Sequence, residues 1–292
     1  MITDSVKTWG DAVAYTFKTK DSWRNGNGQK TARYNTQHFT NCVGNSYPLA
    51  KITPSVVNQA CMDLADERGM SSSTQNRVIS AISTVLKHCH RMEVWDKPVP
   101  KFERRKEGEH RRVWFTKEEV DKLAAAALDP YGREDLSHVL LAAAYTGMRQ
   151  GELLKLRVKD IDFGSGQIHV GGREGFVTKA SNYRAIPINK RIQNVLQGRC
   201  EYAKQSAYVF GDDWPSGKDQ LIRAFKKVRN YSLNKEDVYT FHVLRHSFAT
   251  WLGELGVPVR TIMELMGHKN IETTLIYLKA TDQSRYDAIA GL

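Results

Sequence analysis

Apolar side chains recur every three to four residues through most of the chain, interrupted by capping and turn residues, so the pattern predicts a succession of helices. Over 8–91 it outlines a small bundle. Thr53-Pro54 reads as an N-cap followed by proline at the first helical position, and Gly69 closes that helix. The next helix opens at the serine run Ser71 to Ser73 and lines Val78, Ile82, Val85 and Leu86 along one face, with Arg77, Lys87 and Arg91 on the other. That basic face suits either a phosphate backbone or plain solvent.

Periodicity then stops. Pro98 and Pro100 block helix continuation, and the residues after them are densely charged, including Lys101, Arg104, Arg105, Lys106, Arg111 and Arg112. The expectation is an extended basic linker over 97–115 between a helical domain at 1–96 and a second domain at 116–292. The second domain opens with the capping pattern Thr116-Lys-Glu-Glu119, and a later helix ends at Tyr145 before the Thr146-Gly147 break. Short β-like stretches follow at 167–170, 176–179 and 183–188, and 189–289 returns to helices with short connections. In the helix predicted over 240–255, Leu244, Phe248 and Leu252 form the buried stripe. The fold class expected is mainly α with one small antiparallel β-sheet, and no internal repeat is evident.

With 292 residues, 41% of them hydrophobic, the chain is long enough for two cores. Its 43 Lys and Arg against 32 Asp and Glu leave a formal charge of +11, which favours a polyanionic partner, although charge alone also fits a basic protein with no such role. Cys42, Cys61, Cys89 and Cys200 are too scattered for a zinc or redox pair and read as reduced structural thiols. His88-Cys89-His90 resembles a metal box, but neighbours on a helix point about 100° apart and cannot converge on one ion. No long apolar run or charged-then-apolar leader occurs, so a soluble cytoplasmic protein without a membrane span is expected.

Three separated motifs carry chemistry: Thr146-Gly147-Met-Arg149-Gln-Gly-Glu152, His242-Val-Leu-Arg245-His246, and Gly267-His268 followed by Tyr277. His242 and Arg245 lie at i, i+3 in the first turns of a helix, where free amides and the dipole favour an anion. Arg149 follows a glycine break in the same manner. Two arginines could grip both non-bridging oxygens of one phosphate, since each planar fork donates bidentately and stays charged. Tyr277 offers a phenol nucleophile whose ordinary pKa of about 10 calls for help from nearby cations and a histidine. Asn270 can cap the helix that bears it, leaving a short arm from His268. Any one of these residues alone is more often structural; their joint occurrence decides the reading.

In these motifs the chain resembles the tyrosine recombinases, the phage integrases and related site-specific DNA recombinases, closely over 116–277 and in helical pattern only before that. The resemblance implies a core-type DNA-binding bundle, a catalytic domain, and the catalytic set Arg149, Lys179, His242, Arg245, His268 and Tyr277. Lys179, on a β-hairpin, would protonate the leaving 5′ oxygen, with Arg184 in the returning strand a rival for a DNA contact. Glu152 would orient a basic side chain or helix end, and His246 would pack or give a supporting hydrogen bond.

Tyr277 would attack a scissile phosphate to form a 3′-phosphotyrosyl bond, without cofactor, ATP or metal. The implied partner is double-stranded DNA carrying two recombination sites, bound by a homo-tetramer that can be a monomer in solution, with room for an accessory DNA-bending or directionality protein. The lack of space ahead of the bundle for a separate arm-site domain favours a simple two-domain recombinase. The linker would then help clamp a duplex, with a solvated tether as the alternative. Leu278, Tyr286, Ile289 and Leu292 could dock on a neighbouring protomer or fold back on their own domain. A type IB topoisomerase and a DNA-binding protein that has lost catalysis are the competing readings, and the intact residue set argues against the second.

Overall fold

The computed structural model describes residues 6–26, 28–108, 113–171, 183–201, 203–204, 207–268 and 270–275. The chain divides into two compact units, Met1–His110 and Arg111–Leu292.

In the first unit α1 (Trp9–Thr19), α2 (Asp21–Arg24), α3 (Gln29–Val43), α4 (Pro54–Arg68) and α5 (Ser72–Arg91) form a bundle. Local signals set their ends. The Thr53 side chain accepts from the Val56 amide with proline at N1, Gly69 ends α4 in the left-handed conformation, and Ser71 caps α5. Trp9 anchors the core edge-on to Phe39, with ring centroids 5.0 Å apart, while its indole N–H donates to Thr40 Oγ1 at 2.8 Å. Val78, Ile82, Val85 and Leu86 of α5 are all buried, and Arg77, Lys87 and Arg91 are exposed. The side chains of the His88-Cys89-His90 run diverge: His88 meets Thr19, Cys89 is buried against Thr16 and Ala12, and His90 meets the Trp95 carbonyl.

Much of the segment expected to be an extended linker is laid along this bundle. Val99 and Phe102 pack against its core. Buried Asn76 takes the Arg105 main-chain N–H on its Oδ1 and donates from Nδ2 to the Arg105 carbonyl, at 2.8 and 2.9 Å. Arg105 reaches the Asn58 carbonyl and Arg104 the Ser80 hydroxyl, while Lys101 and Lys106 stay exposed. Arg111 and Arg112 lie outside the described residues.

The second unit contains α6 (Lys117–Leu128), α7 (Glu134–Thr146), α8 (Gln150–Leu153), α9 (Lys190–Cys200), α10 (Lys218–Ser232), α11 (His242–Glu254), α12 (Val259–Met266) and α13 (Ile271–Leu275). It also holds an antiparallel sheet of β1 (Ile161–Asp162), β2 (Gln167–Val170) and β3 (Arg184–Pro187) in that order. Ile168 faces Ile186 and Val170 faces Arg184 across β2 and β3. Fully buried Leu123, Val139, Leu140, Leu244 and Ile168 share one core. Phe115, which the charge pattern assigns to the linker, belongs to that core: it is fully buried, its N–H donates to Ser247 Oγ, and its carbonyl accepts from Trp251. The stripe expected on α11 is also narrower than its spacing suggests, because Leu244 is buried but Phe248 and Leu252 are half-exposed over a small separate cluster with Ile262 and Met266. The stretch at 176–179 lies outside the described residues.

Candidate active site

α7 stops at Gly147, whose φ of +62° suits glycine, and a Cβ there would lie 2.4 Å from the Phe248 ring. That turn delivers Arg149 as the residue preceding α8. Its main-chain N–H and its Nη1 donate to the two oxygens of Glu152, at 2.8 and 2.9 Å, and its Nη2 donates to the Gly267 carbonyl at 3.1 Å.

Arg245 rises from the first turn of α11 and is 3% exposed. One guanidinium nitrogen donates to the Gly147 carbonyl and the other to the Met266 carbonyl. Arg184 comes from β3, and its Nε donates to the Leu265 carbonyl at 2.8 Å. Three successive carbonyls, those of Leu265, Met266 and Gly267, therefore each receive a different arginine. Physically this is what the end of α12 offers: unsatisfied carbonyls with the negative pole of the helix dipole behind them.

Glu152 is the counter-ion. Burial would raise its pKa, but the fork from Arg184 and then the N–H groups of Arg149 hold it at about 2. Among the described residues, three guanidiniums gather around this one carboxylate, a balance of charge suited to an anion.

The histidines supply neutral groups. His242 is exposed at the start of α11, and its ring meets His246 edge-on with centroids 4.7 Å apart. Desolvation, with Arg245 and Arg149 after it, lowers the His242 pKa. Desolvation first, and neighbouring positive charge or imidazole second, brings His246 and His268 down to about 4. His268 follows Gly267 directly, and its Nδ1 lies 2.9 Å from Thr274 Oγ1 in α13, whose first turn is capped by Asn270 accepting from the Glu272 amide.

The structure thus brings together Arg149, His242, Arg245, His246, His268 and Glu152. Lys179 and Tyr277 lie outside the described residues. Arg184, expected to face DNA, is turned inward instead. It is 7% exposed and forks onto Glu152, because residues 184 and 186 share one face of β3 and Ile186 points into the core. The alternation was present in the sequence; only the partner was hidden. Among the described residues no group of His, Cys, Asp and Glu could hold a metal ion, and no helix is long and apolar enough to cross a membrane.

The profile of the phage integrase family fits residues 113–284, a span that begins two residues before buried Phe115 and encloses every element of this cluster. The chain belongs to the phage integrase family. This tyrosine recombinase, a DNA strand-transferring enzyme, is 32% identical to the tyrosine recombinase XerA of Pyrococcus horikoshii over 224 residues, 76% of this chain and 74% of that one. Its fold is similar to that of the Tn1549 transposon integrase in complex with transposon right end DNA, with a TM-score of 0.75 at 20% identity over 98% of this chain and 99% of that one. It is also similar to a lambda integrase tetramer bound to a Holliday junction, with a TM-score of 0.67 at 18% identity over 92% and 79% of the two chains.

Proposed function

We propose that this recombinase cuts and rejoins DNA at specific sites through a 3′-phosphotyrosyl intermediate, integrating or excising a phage or mobile element. The observation that carries the reading is the convergence of Arg149, Arg245, His242 and His268 around the C-terminal end of α12. Arg149 and Arg245 are the groups to hold the two non-bridging oxygens, because preorganised cations aimed at developing charge need no rearrangement during the reaction. His242 and His268 are neutral at working pH and so can each accept or pass on a proton.

Tyr277 then attacks phosphorus in line. A bond forms from its phenolic oxygen as the phenol proton passes to His242 or His268, the bond to the 5′ oxygen breaks, and Lys179 gives that oxygen its proton. Attack by the 5′ hydroxyl of a second duplex reverses the step and exchanges strands. Duplex DNA with two sites, a homo-tetramer on it, and an accessory bending or directionality protein complete the proposal. Support for the assembly comes from the fold shared with the lambda integrase tetramer, and support for the DNA partner from the charge of +11.

Covalent trapping tests this. The protein is mixed, without metal or ATP, with nicked duplexes from candidate element and host DNA, then denatured and recovered with whatever DNA stays attached. Attachment confined to one sequence and abolished by Tyr277→Phe, with DNA binding retained, is expected. Attachment spread over all sequences would point to a type IB topoisomerase, and retained binding without attachment to a non-catalytic DNA-binding protein. Equal loss of binding and attachment in Tyr277→Phe would remove the tyrosine from its assigned role.

A further inference from the structure

We propose that Arg184 is a positioning residue for strand cleavage, one that fixes Arg149 and the His268 arm by clamping Glu152 and the Leu265 carbonyl at the same time. This rests on the function proposed above and adds to it a residue that never touches the phosphate.

The geometry divides the Arg184 guanidinium between two elements. Its Nη1 and Nη2 reach Glu152 Oε1 and Oε2 at 3.3 and 2.7 Å, and its Nε reaches the Leu265 carbonyl at 2.8 Å. The same two carboxylate oxygens receive the Nη1 and the main-chain N–H of Arg149. Glu152 is therefore shared. Because Arg184 takes up part of its negative charge, Arg149 keeps more of its own for an incoming anion. With Arg184 neutralised or withdrawn, Arg149 would be the remaining cation on this carboxylate among the described residues, and the grip on a phosphate would weaken.

The second contact acts on the arm. Leu265 is three residues before His268, and Gly267 between them has a φ of +64°. A Cβ on Gly267 would lie 2.8 Å from Arg184 Nη1 and 3.2 Å from its Cδ, so the left-handed turn that presents His268 is built directly against this side chain. Lysine cannot replace it. A single ammonium on a flexible stem cannot span both carboxylate oxygens and a carbonyl on the other edge of the group. Arg184 also stands five positions after Lys179 in sequence, at the start of β3, and so ties the strand following that lysine to the rest of the cluster.

The experiment measures single-turnover covalent attachment at saturating nicked DNA, equilibrium DNA binding over a range of salt, and thermal unfolding. It compares wild type, Arg184→Lys, Glu152→Gln, the double variant and Gly267→Ala. For Arg184→Lys the attachment rate should fall about 10- to 100-fold, as expected for a small misplacement of reacting groups, while the dissociation constant moves by less than about twofold. The salt dependence of binding should be unchanged, since no phosphate contact is lost.

Adding Arg184→Lys to Glu152→Gln should slow attachment by less than the product of the two single effects, because the fork onto Glu152 is common to both and only the hold on the Leu265 carbonyl is lost anew. Gly267→Ala presses on the guanidinium from the other side with its charge intact, so it should also lower rate without affinity. If Arg184→Lys fails to fold, Glu152→Gln decides the matter, since it breaks the same fork without touching the Gly267 turn: loss of rate at unchanged affinity upholds the inference, and an unchanged rate overturns it. A loss of affinity equal to the loss of rate would make Arg184 a DNA contact and overturn the inference. An Arg184→Lys rate within about twofold of wild type would overturn it too. Failure of wild type to attach to any substrate would sink the proposed function and this inference together, whereas normal attachment by wild type and variant alike would sink the inference alone.

Discussion

Replacing Glu152 with glutamine keeps the shape of the side chain and removes the one charge that balances Arg184 and Arg149, so the substitution measures what that charge contributes. The carboxyl is shifted from an ordinary 4.5 to about 2, and at about 1.4 kcal/mol per unit this corresponds to about 3 kcal/mol of native-state stability. A second route gives a similar figure: the variant leaves the Arg184 side chain, 6% exposed, without its partner, and breaking a buried pair from one side costs about 3–5 kcal/mol. For a unit of this size each kcal/mol moves the midpoint by about 2–4 °C, so differential scanning calorimetry at neutral pH should show the second unit melting roughly 6–12 °C lower. The effect also has a pH signature. A carboxyl whose native pKa is depressed stabilises fully above its unfolded value of 4.5 and loses that contribution as pH falls toward 2. The gap between wild type and Glu152→Gln should thus be constant near neutrality and shrink below pH 4.5. A midpoint change under about 2 °C, or a gap that widens in acid, would refute the counter-ion argument.

Gly147→Ala combines a left-handed φ with a Cβ 2.4 Å from Phe248 and should cost about 2–4 kcal/mol, read as a lower urea midpoint; an unchanged midpoint would show that the α7 turn relaxes freely. Asn76→Ala removes both hydrogen bonds to the Arg105 main chain and should destabilise the segment laid along the bundle by about 1–3 kcal/mol, visible as faster amide exchange near Arg105 while the α5 interior stays protected; exchange at the wild-type rate would mean that Val99, Phe102 and the side chains of Arg104 and Arg105 hold the segment without Asn76. His246 and His268, held near 4 by desolvation and neighbouring charge, should stay neutral through pH 6 in an imidazole NMR titration. Their neutral forms support the fold fully above the ordinary 6.5, and that support declines as pH falls from 6.5 toward 4; midpoints at or above 6.5 would contradict the burial argument.

What could be seen in the sequence was whatever is decided locally. Thr53 with Pro54, Ser71, Thr116 with Glu119, and Gly267 each mark a helix end because a cap needs only the residues next to it. The strand at Gln167–Val170 was legible for the same reason. Phe115 was not, because a core aromatic directly after a charged run looks like part of that run until the helices it packs on are known. Nor could the sequence reveal the acceptors for Arg149, Arg184 and Arg245. Every residue has a carbonyl, and only the path of α12 makes those of Leu265, Met266 and Gly267 special. Arg184 shows the boundary well: period-two alternation turned it inward beside Ile186, but which carboxylate it would meet depended on α8, more than thirty positions away in the chain.

The arginines' acceptors on α12 have a consequence for mutational tolerance. A carbonyl oxygen survives any substitution of its own residue, so changing the side chain of Leu265 or Met266 leaves every acceptor chemically in place. Sequence drift along α12 can alter the setting of the site only by moving where the helix ends. The constraint that the site places on this helix therefore concentrates on Gly267, whose conformation defines that end, and on the small apolar seat formed by Ile262 and Met266 beneath it.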